Sequence, residues 1–472
     1  MENTNGKEVE PFILENNVGN VISQGDNIDE TLANVNNVSL PEESEKIEDE
    51  AEEVTLKEMI DCSEWRQNHK HVFILSSAGK PVYSRYGSED KLATIFGVMQ
   101  ALVSFVQDSD DSIRSIHFEQ NIMVFSIKGP IILVAVSNRK DSIEFISTQL
   151  TYVYNQIVSV LTLSRVTKIF EKRHNYDLRR LLTGSERLID HLLTFSETQP
   201  EFLLDAVSCL KMQSAQREAI SNAIISTCSK IKTLVFAMLI GCNRLITLVR
   251  RKKYSLQPSD LHLIFNLVNS SESFKTAESW TPICLPNFDA TGFLHGHVSY
   301  LAENCQACLL LLTVDQNIFF ELSAAKKAIV EKLEKNQLFD VINEGLKKPN
   351  LTVNDIPKIY KMRHFIFKCK KSSHLLSPVL PVLYNTPAAA NNLMFQYQQL
   401  YSTIHQPGSL LKLAFQQLPN ETMLGWVTEK FELMVTFEPL INKRSATDGA
   451  KKLSQIIEKD EDKFFIQNIY NF

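Results

Sequence analysis

HVFILSSAGKPVYSRYGSEDKLATIFGVMQALVSFVQDS, residues 71–109, decides the fold of this chain. Residues 71–76 form a short apolar, β-prone run, and Ser77-Ala78-Gly79-Lys80 is a turn. Residues 81–86 alternate, with Val82, Ser84 and Tyr86 set against Tyr83 and Arg85, so the two runs pair as a hairpin. Gly87 breaks the strand. Ser88 is placed to cap a helix whose first turn holds Glu89 and Asp90, where the helix dipole favours acids. In that helix Leu92, Ile95, Met99, Leu102 and Val106 make one stripe, and Phe96, Val98, Ala101, Val103 and Phe105 fill much of the remaining circumference. An ordinary surface helix is apolar over one stripe only. Two readings stay open: a helix enclosed by its own domain, or one covered by its sheet on one side and by another protein on the other.

The same order of elements returns along the chain. After the hairpin and helix, residues 113–118, 121–127 and 131–137 read as three strands, followed by a helix from Ile143 to about Thr162 and more helix through 165–193. A second pass has helix over 200–232, a hairpin at 233–242 and 245–251, and a helix opened by Pro258-Ser259-Asp260. Strands follow at 281–285, 292–301 and 308–314, with 318–321 as an optional further strand, then a long charged helix from Ser323 to about Lys347. A third pass pairs 363–369 with 375–383, continues with a helix at 387–405 and strands at 411–417, 423–428 and 431–437, and ends in a helix over 446–462. Three repeats of hairpin, helix, three strands and helix predict three α+β domains, each a five-stranded antiparallel sheet flanked by helices. Their expected bounds are 69–199, 200–348 and 355–472.

Residues 1–64 carry 18 acids against three lysines, net −15, whereas the remainder carries 37 acids and 46 Lys+Arg, net +9, which together make the chain's −6. The acidic stretch is poor in aromatics and lacks a sustained period, so it is expected to be disordered. Folding back over the basic body is one role for such a tail; a solvated linker is the other. A basic body suits an anionic phospholipid surface. Nucleic acid would call for aromatics interleaved on an exposed sheet, which the sequence lacks, so no nucleic-acid partner is expected. The polar, acidic start reads as neither signal nor transit peptide, and no apolar run approaches the roughly 18 residues that cross a bilayer. Eight scattered cysteines fit reduced thiols in the cytoplasm.

No phosphate-loop, dinucleotide or nucleophile-elbow motif lies in a strand–turn–helix context, so no covalent chemistry and no cofactor are expected. Cys305-x-x-Cys308 follows His295-Gly-His297 by ten residues, a conceivable zinc set, but an apparent strand separates the pairs and no second CxxC exists. A redox CxxC would open a helix; here it leads into a strand. The expectation is therefore no metal, with core residues at all four positions. Arg250, Arg251, Lys252 and Lys253 form the densest basic run, at a strand end, and Lys368-Cys369-Lys370-Lys371 is another. Each basic side chain near an anionic head group contributes roughly 1 kcal/mol.

Residues 71–87 (HVFILSSAGKPVYSRYG) with 88–105, and 280–301 (WTPICLPNFDATGFLHGHVSYL), closely resemble the SAND family of vacuolar-fusion proteins, called Mon-one; 249–261 (VRRKKYSLQPSDL) is similar to the same family. The likeness runs from about residue 69 onward and leaves the acidic tail unmatched. It implies three consecutive longin domains. It also implies a partner, a second three-longin subunit of the Ccz-one type. The pair would act as a guanine-nucleotide exchange factor for a late-endosomal Rab GTPase, with an early-endosomal Rab and anionic phospholipid as recruiters. The chain would then sit in the cytoplasm, peripherally attached to late endosomes and lysosomes or the vacuole, and drive early-to-late endosome conversion and fusion. A longin adaptor that tethers without exchange is the competing class, and a zinc or thiol enzyme a third.

In the exchange reading the first longin domains of both subunits build the Rab platform. On this chain Lys91, Thr94, Ile95 and Val98 of the first helix, with Ser77 and Lys80 of the hairpin turn, are the candidate platform residues. Arg250–Lys253 are the candidate lipid contact.

Overall fold

A computed structural model describes residues 68–89, 92–271, 273–302, 305–348 and 351–472; the acidic stretch 1–64 and Lys91 lie outside them. In the first domain β1 (Lys70–Ser76) and β2 (Pro81–Ser84) form the hairpin. Helix α1 (Ala93–Gln107) follows, then β3 (Ser115–Phe118), β4 (Asn121–Lys128) and β5 (Ile131–Ser137). The sheet is antiparallel throughout, in the order β2-β1-β5-β4-β3. The central strands read as unbroken apolar runs because both faces are covered. Phe73, Leu75, Ile132 and Val134 face α1. Val72, Ile74, Leu133 and Ala135 face α2 (Ile143–Leu161), α3 (Leu163–Lys172), α4 (Arg179–Leu182) and α5 (Glu186–Thr198).

Two details of α1 depart from the sequence reading. Ser88 does not cap it: the N-cap is Leu92, without a side-chain cap bond. The carboxylate of Glu89 instead accepts from the Ser84 amide at 2.9 Å, closing the turn after β2, so the helix begins four residues late. The buried stripe is also rotated. Phe96, Met99 and Val103 enter the core behind Leu92, while Ile95, Leu102 and Val106 are half-buried. Phe96 sets this by meeting Phe73 edge-on at 5.6 Å.

The expected helix over 200–232 is broken into α6 (Pro200–Leu203), a two-residue strand β6 (Val207–Ser208) and α7 (Ser214–Cys228). The second domain then runs through β7 (Leu234–Gly241), β8 (Arg244–Arg250), α8 (Pro258–Ser270), α9 (Ser273–Thr276), β9 (Ser279–Leu285), α10 (Pro286–Asp289), β10 (Ala290–Tyr300) and β11 (Ala307–Thr313). Residues 318–321, read as an optional further strand, instead open α11 (Phe319–Lys335). A left-handed Gln337 (φ 54°) separates it from α12 (Leu338–Lys347).

The third domain comprises β12 (Met362–Cys369), β13 (His374–Leu376), α13 (Pro387–Ile404), β14 (Leu413–Gln417), β15 (Thr422–Val427) and β16 (Phe431–Phe437). It closes with α14 (Lys443–Lys459), α15 (Glu461–Phe464) and β17 (Tyr470–Asn471). Its second strand stops at Leu376, because Pro378 and Pro381 lead the chain out of the ladder.

The second and third sheets each take a sixth strand, and they take it from one another's stretch of sequence. β17 pairs parallel with β8, Tyr470 opposite Val249, and β6 pairs parallel with β13, Val207 opposite His374. Both additions fall on the outer edge of a hairpin's second strand. Arg217 sits between the exchanged segments. A further core cluster joins all three domains: Phe145 and Tyr152 of α2, Leu192 of α5, Phe202 of α6, Leu263 of α8, and Leu393, Tyr397 and Leu400 of α13.

Candidate functional site

α1, α8 and α13 occupy the same place in the three repeats, after the hairpin and on one face of the sheet. They differ in what lies outside them. α8 packs against α2 and α5 of the first domain, and α13 against α5 and α6. Asn266 of α8 donates to Gln156 Oε1 and to the Leu188 carbonyl at 2.8 and 2.7 Å. α1 keeps its outer face open: Val98 is 57% exposed and Phe105 77%, and Ala93, Thr94, Gly97 and Ala101 are exposed beside them. Ala93, Gly97 and Ala101 recur at four-residue spacing, so they share one low ridge. A Cβ added at Gly97 would meet nothing within 4 Å. Packing among the described residues therefore does not require glycine there, although it weakens a helix by about 1 kcal/mol relative to alanine.

The surroundings extend this face. Gln100 Nε2 donates to Ser77 O at 2.8 Å, tying α1 to the hairpin turn, and Gly79 (φ +78°) lets the turn pass close to the Gln100 stem. Beyond α1 runs β3, an outer strand of the sheet that carries exposed His117 and Phe118. The helix ends among exposed acids, Asp108, Asp110 and Asp111, with no basic residue in its last turn. Acids at a helix C-terminus oppose the dipole. Such a conflict between local preference and structure marks surfaces kept for another purpose.

Of the candidate platform residues, Ser77, Thr94 and Val98 lie exposed on this side of the domain. Ile95 is half-buried against the α1 core. Lys80 is exposed but leans the other way: its Nζ donates to Asn175 O at 2.7 Å, between α3 and α4. Ala101 and Phe105 were not among the candidate platform residues, and Gln100 escaped the sequence reading altogether. Phe105 was visible as an apolar residue off the main stripe, whereas Gln100 gave no signal.

The four-residue basic run divides. Arg250 Nη1 donates to Tyr254 O, and Arg251 donates through Nε to Leu234 O at 3.0 Å and through Nη2 to Ile231 O. These two candidate lipid contacts are half-buried and hold loops in place. Lys252 and Lys253 remain exposed.

The histidines and cysteines do not form one constellation. His297 Nε2 pairs with Glu278 at 3.1 Å, beside Lys326, and His295 stacks on Trp280 with ring centroids 5.7 Å apart. Cys305 and Cys308 are buried; burial pushes the Cys308 thiol up to about 12. Among the described residues no group of three or more His, Cys, Asp or Glu side chains converges as a metal site. The 280–301 stretch forms β9 and β10, which pack against α2 and α3 of the first domain. Buried Asp260 braces it, accepting from Asn287 N at 3.2 Å and Nδ2 at 3.0 Å. That stretch is a seam between domains.

Comparison with known proteins matches the first, second and third longin domains of FUZ, MON1 and HPS1 to residues 70–192, 232–331 and 361–461. The chain is 43% identical over 410 residues to Protein SAND of Takifugu rubripes, covering 87% of this chain and 78% of that protein. It is likewise 43% identical over 410 residues to vacuolar fusion protein MON1 homolog A of Gallus gallus, with 87% and 74% covered. Against vacuolar fusion protein MON1 homolog B of Homo sapiens it is 35% identical over 423 residues, with 86% and 77% covered.

Proposed function

The chain belongs to the SAND/MON1 family of three-longin vacuolar fusion proteins, and from that premise we propose that it is one subunit of a two-chain guanine-nucleotide exchange factor. Its substrate is a late-endosomal or vacuolar Rab GTPase, and its partner a second three-longin subunit of the Ccz-one type. The complex works peripherally at late-endosomal and lysosomal or vacuolar membranes, recruited by an early-endosomal Rab and anionic phospholipid. There it drives early-to-late endosome conversion.

The observation that carries this reading is the open outer face of α1. In the second and third repeats the equivalent helix is covered by the first domain; in the first it presents Val98 and Phe105 over a ridge of small residues. A face of that kind accepts a second polypeptide at close range, and the β3 edge beside it offers unpaired backbone to the same neighbour.

Exchange makes no covalent bond. The complex must bind the GTPase with its switch region opened more tightly than the nucleotide-loaded form, since a ligand moves an equilibrium only by its differential affinity. Displacing a nucleotide held at a picomolar constant means offsetting roughly 16 kcal/mol for a moment. Two first domains side by side supply the breadth this requires. Lys252 and Lys253 serve the lipid contact, with Arg250 and Arg251 bracing the loop beneath them.

The test is to co-purify the partner and follow release of labelled nucleotide from a panel of Rabs on anionic liposomes. Selective acceleration with one late-endosomal Rab is expected. A complex that assembles and binds that Rab without accelerating release would make the chain a tether.

A further inference from the structure

A patch outside the first domain is left unexplained by the exchange platform. Three segments meet at one end of the second sheet: 230–233 leading into β7, 251–253 leaving β8, and 314–320, the link from β11 with the first two residues of α11. Backbone hydrogen bonds hold them side by side, from Val314 N to Thr233 O at 3.3 Å and from Arg251 N to Val235 O at 3.1 Å. On this tip Val314 is 59% exposed and Phe320 83%. Phe319 is occupied, meeting Trp280 at 5.8 Å and His297 at 5.4 Å between ring centroids, while Phe320 turns outward. Lys230, Lys232, Lys252 and Lys253 are exposed on the first two of these segments. The acids nearby are Asp315, which accepts from Asn317 N at 2.9 Å, exposed Glu321, and Glu278, which is paired with His297 and Lys326. The tip is net positive.

Two protruding apolar side chains amid four lysines suit a bilayer better than a protein. The cores of protein interfaces are depleted in lysine. At a membrane surface the same composition is satisfied at two depths: apolar side chains pass below the head groups, and ammonium groups reach the phosphates on flexible stems. We infer that this tip is a membrane-insertion element, with Val314 and Phe320 entering the acyl boundary of an anionic bilayer while the four lysines lie on lipid phosphates. The inference rests on the lipid contact proposed above and adds an apolar component that salt does not screen.

The experiment uses the full chain with its partner subunit and vesicles of phosphatidylcholine with or without phosphatidylserine, at low and high salt. V314S/F320S is expected to weaken partitioning about tenfold without changing its salt dependence. K252E/K253E is expected to flatten the salt dependence. Because Phe320 is exposed, F320W should melt like the wild type; on vesicles its added emission should shift to the blue and be quenched by brominated acyl chains. Failure of the wild type to bind anionic vesicles would remove the lipid reading and the inference with it. Binding unaffected by V314S/F320S, with no quenching of F320W, would overturn insertion alone. Shielding of F320W by the partner before vesicles are added would reassign the patch to a protein interface.

Discussion

Arg217 Nη1 donates to the carbonyl of Phe465 at 2.9 Å, across 248 residues of sequence. The same buried guanidinium also holds Ile246 O and Leu210 O. Burial pulls its pKa down from the usual arginine range, and the three carbonyl oxygens accept its protons. The second domain is thereby fastened to the segment that follows α15.

Arg217→Met is expected to leave those carbonyls without their donor and to destabilise the chain by about 3–5 kcal/mol, as when one partner of a buried charged contact is removed. Urea unfolding would read this as simultaneous loss of the second and third domains. Melting of the second domain alone would contradict the coupling.

Deleting residues 470–472 removes the strand on the outer edge of β8 and the Phe472 ring beneath Arg251. A loss of about 2 kcal/mol is expected, chiefly from buried Tyr470. Hydrogen exchange should quicken first in β8, which belongs to a different repeat from the residues deleted. Quickening confined to α14 and α15 would argue against strand exchange.

Gly97→Ala is expected to raise stability by about 1 kcal/mol, because the added methyl meets nothing and the helix gains propensity. Gly97→Trp should fold equally well yet fail to co-purify with the partner subunit. Normal assembly of the tryptophan variant would remove the small-residue ridge from the interface.

Val98→Asp and Phe105→Asp, both on the open face, are expected to keep the wild-type melting temperature and abolish nucleotide release from the Rab. Ile95→Asp should instead lower stability by 1–3 kcal/mol, because its side chain packs under the helix. Equal melting of all three variants would show that the two sides of α1 are misassigned.

Three buried histidines set an acid limit. Burial lowers His262 and His364 to about 4 and His374 to about 3. Their folded pKa values lie below the unfolded value near 6.5, so the unfolded state binds more protons between those limits. Stability is full above pH 6.5 and falls as pH drops toward 4, by up to about 1.4 kcal/mol per pH unit for each histidine. His374 Nδ1 accepts from Ile466 N at 3.4 Å, so protonation also breaks a contact between β13 and the segment that leads to β17. Urea midpoints from pH 7 to 5 should fall, and His364→Gln should lessen the slope; an unchanged slope would place the proton uptake elsewhere.

The repeat was legible because each domain restates one hydrophobic grammar: paired apolar runs, an amphipathic helix, then three more runs. The 71–109 stretch gave strand, turn and helix in the right order, but local preference misplaced the start of α1, since Glu89 accepts from the Ser84 amide and lies before the first helical turn. β6 and β17 were illegible. Two-residue strands have no period, and their register is dictated by edges far along the chain. Arg251 looked like free charge because nothing local reveals its carbonyl partners, Leu234 on the neighbouring strand and Ile231 just before it; Arg250 turns back on Tyr254 O, four residues on.

Strand exchange also sets an order of completion during synthesis. β7 and β8 leave the ribosome early, yet the sheet they belong to stays one strand short until Tyr470–Asn471 emerge. Until then the nascent chain carries an unpaired β edge, a natural site for chaperone capture or for mispairing with a neighbouring polysome product. The first domain has no such debt to later sequence, so it can fold as soon as α5 is made and wait as the surface on which α8 and α13 are laid down.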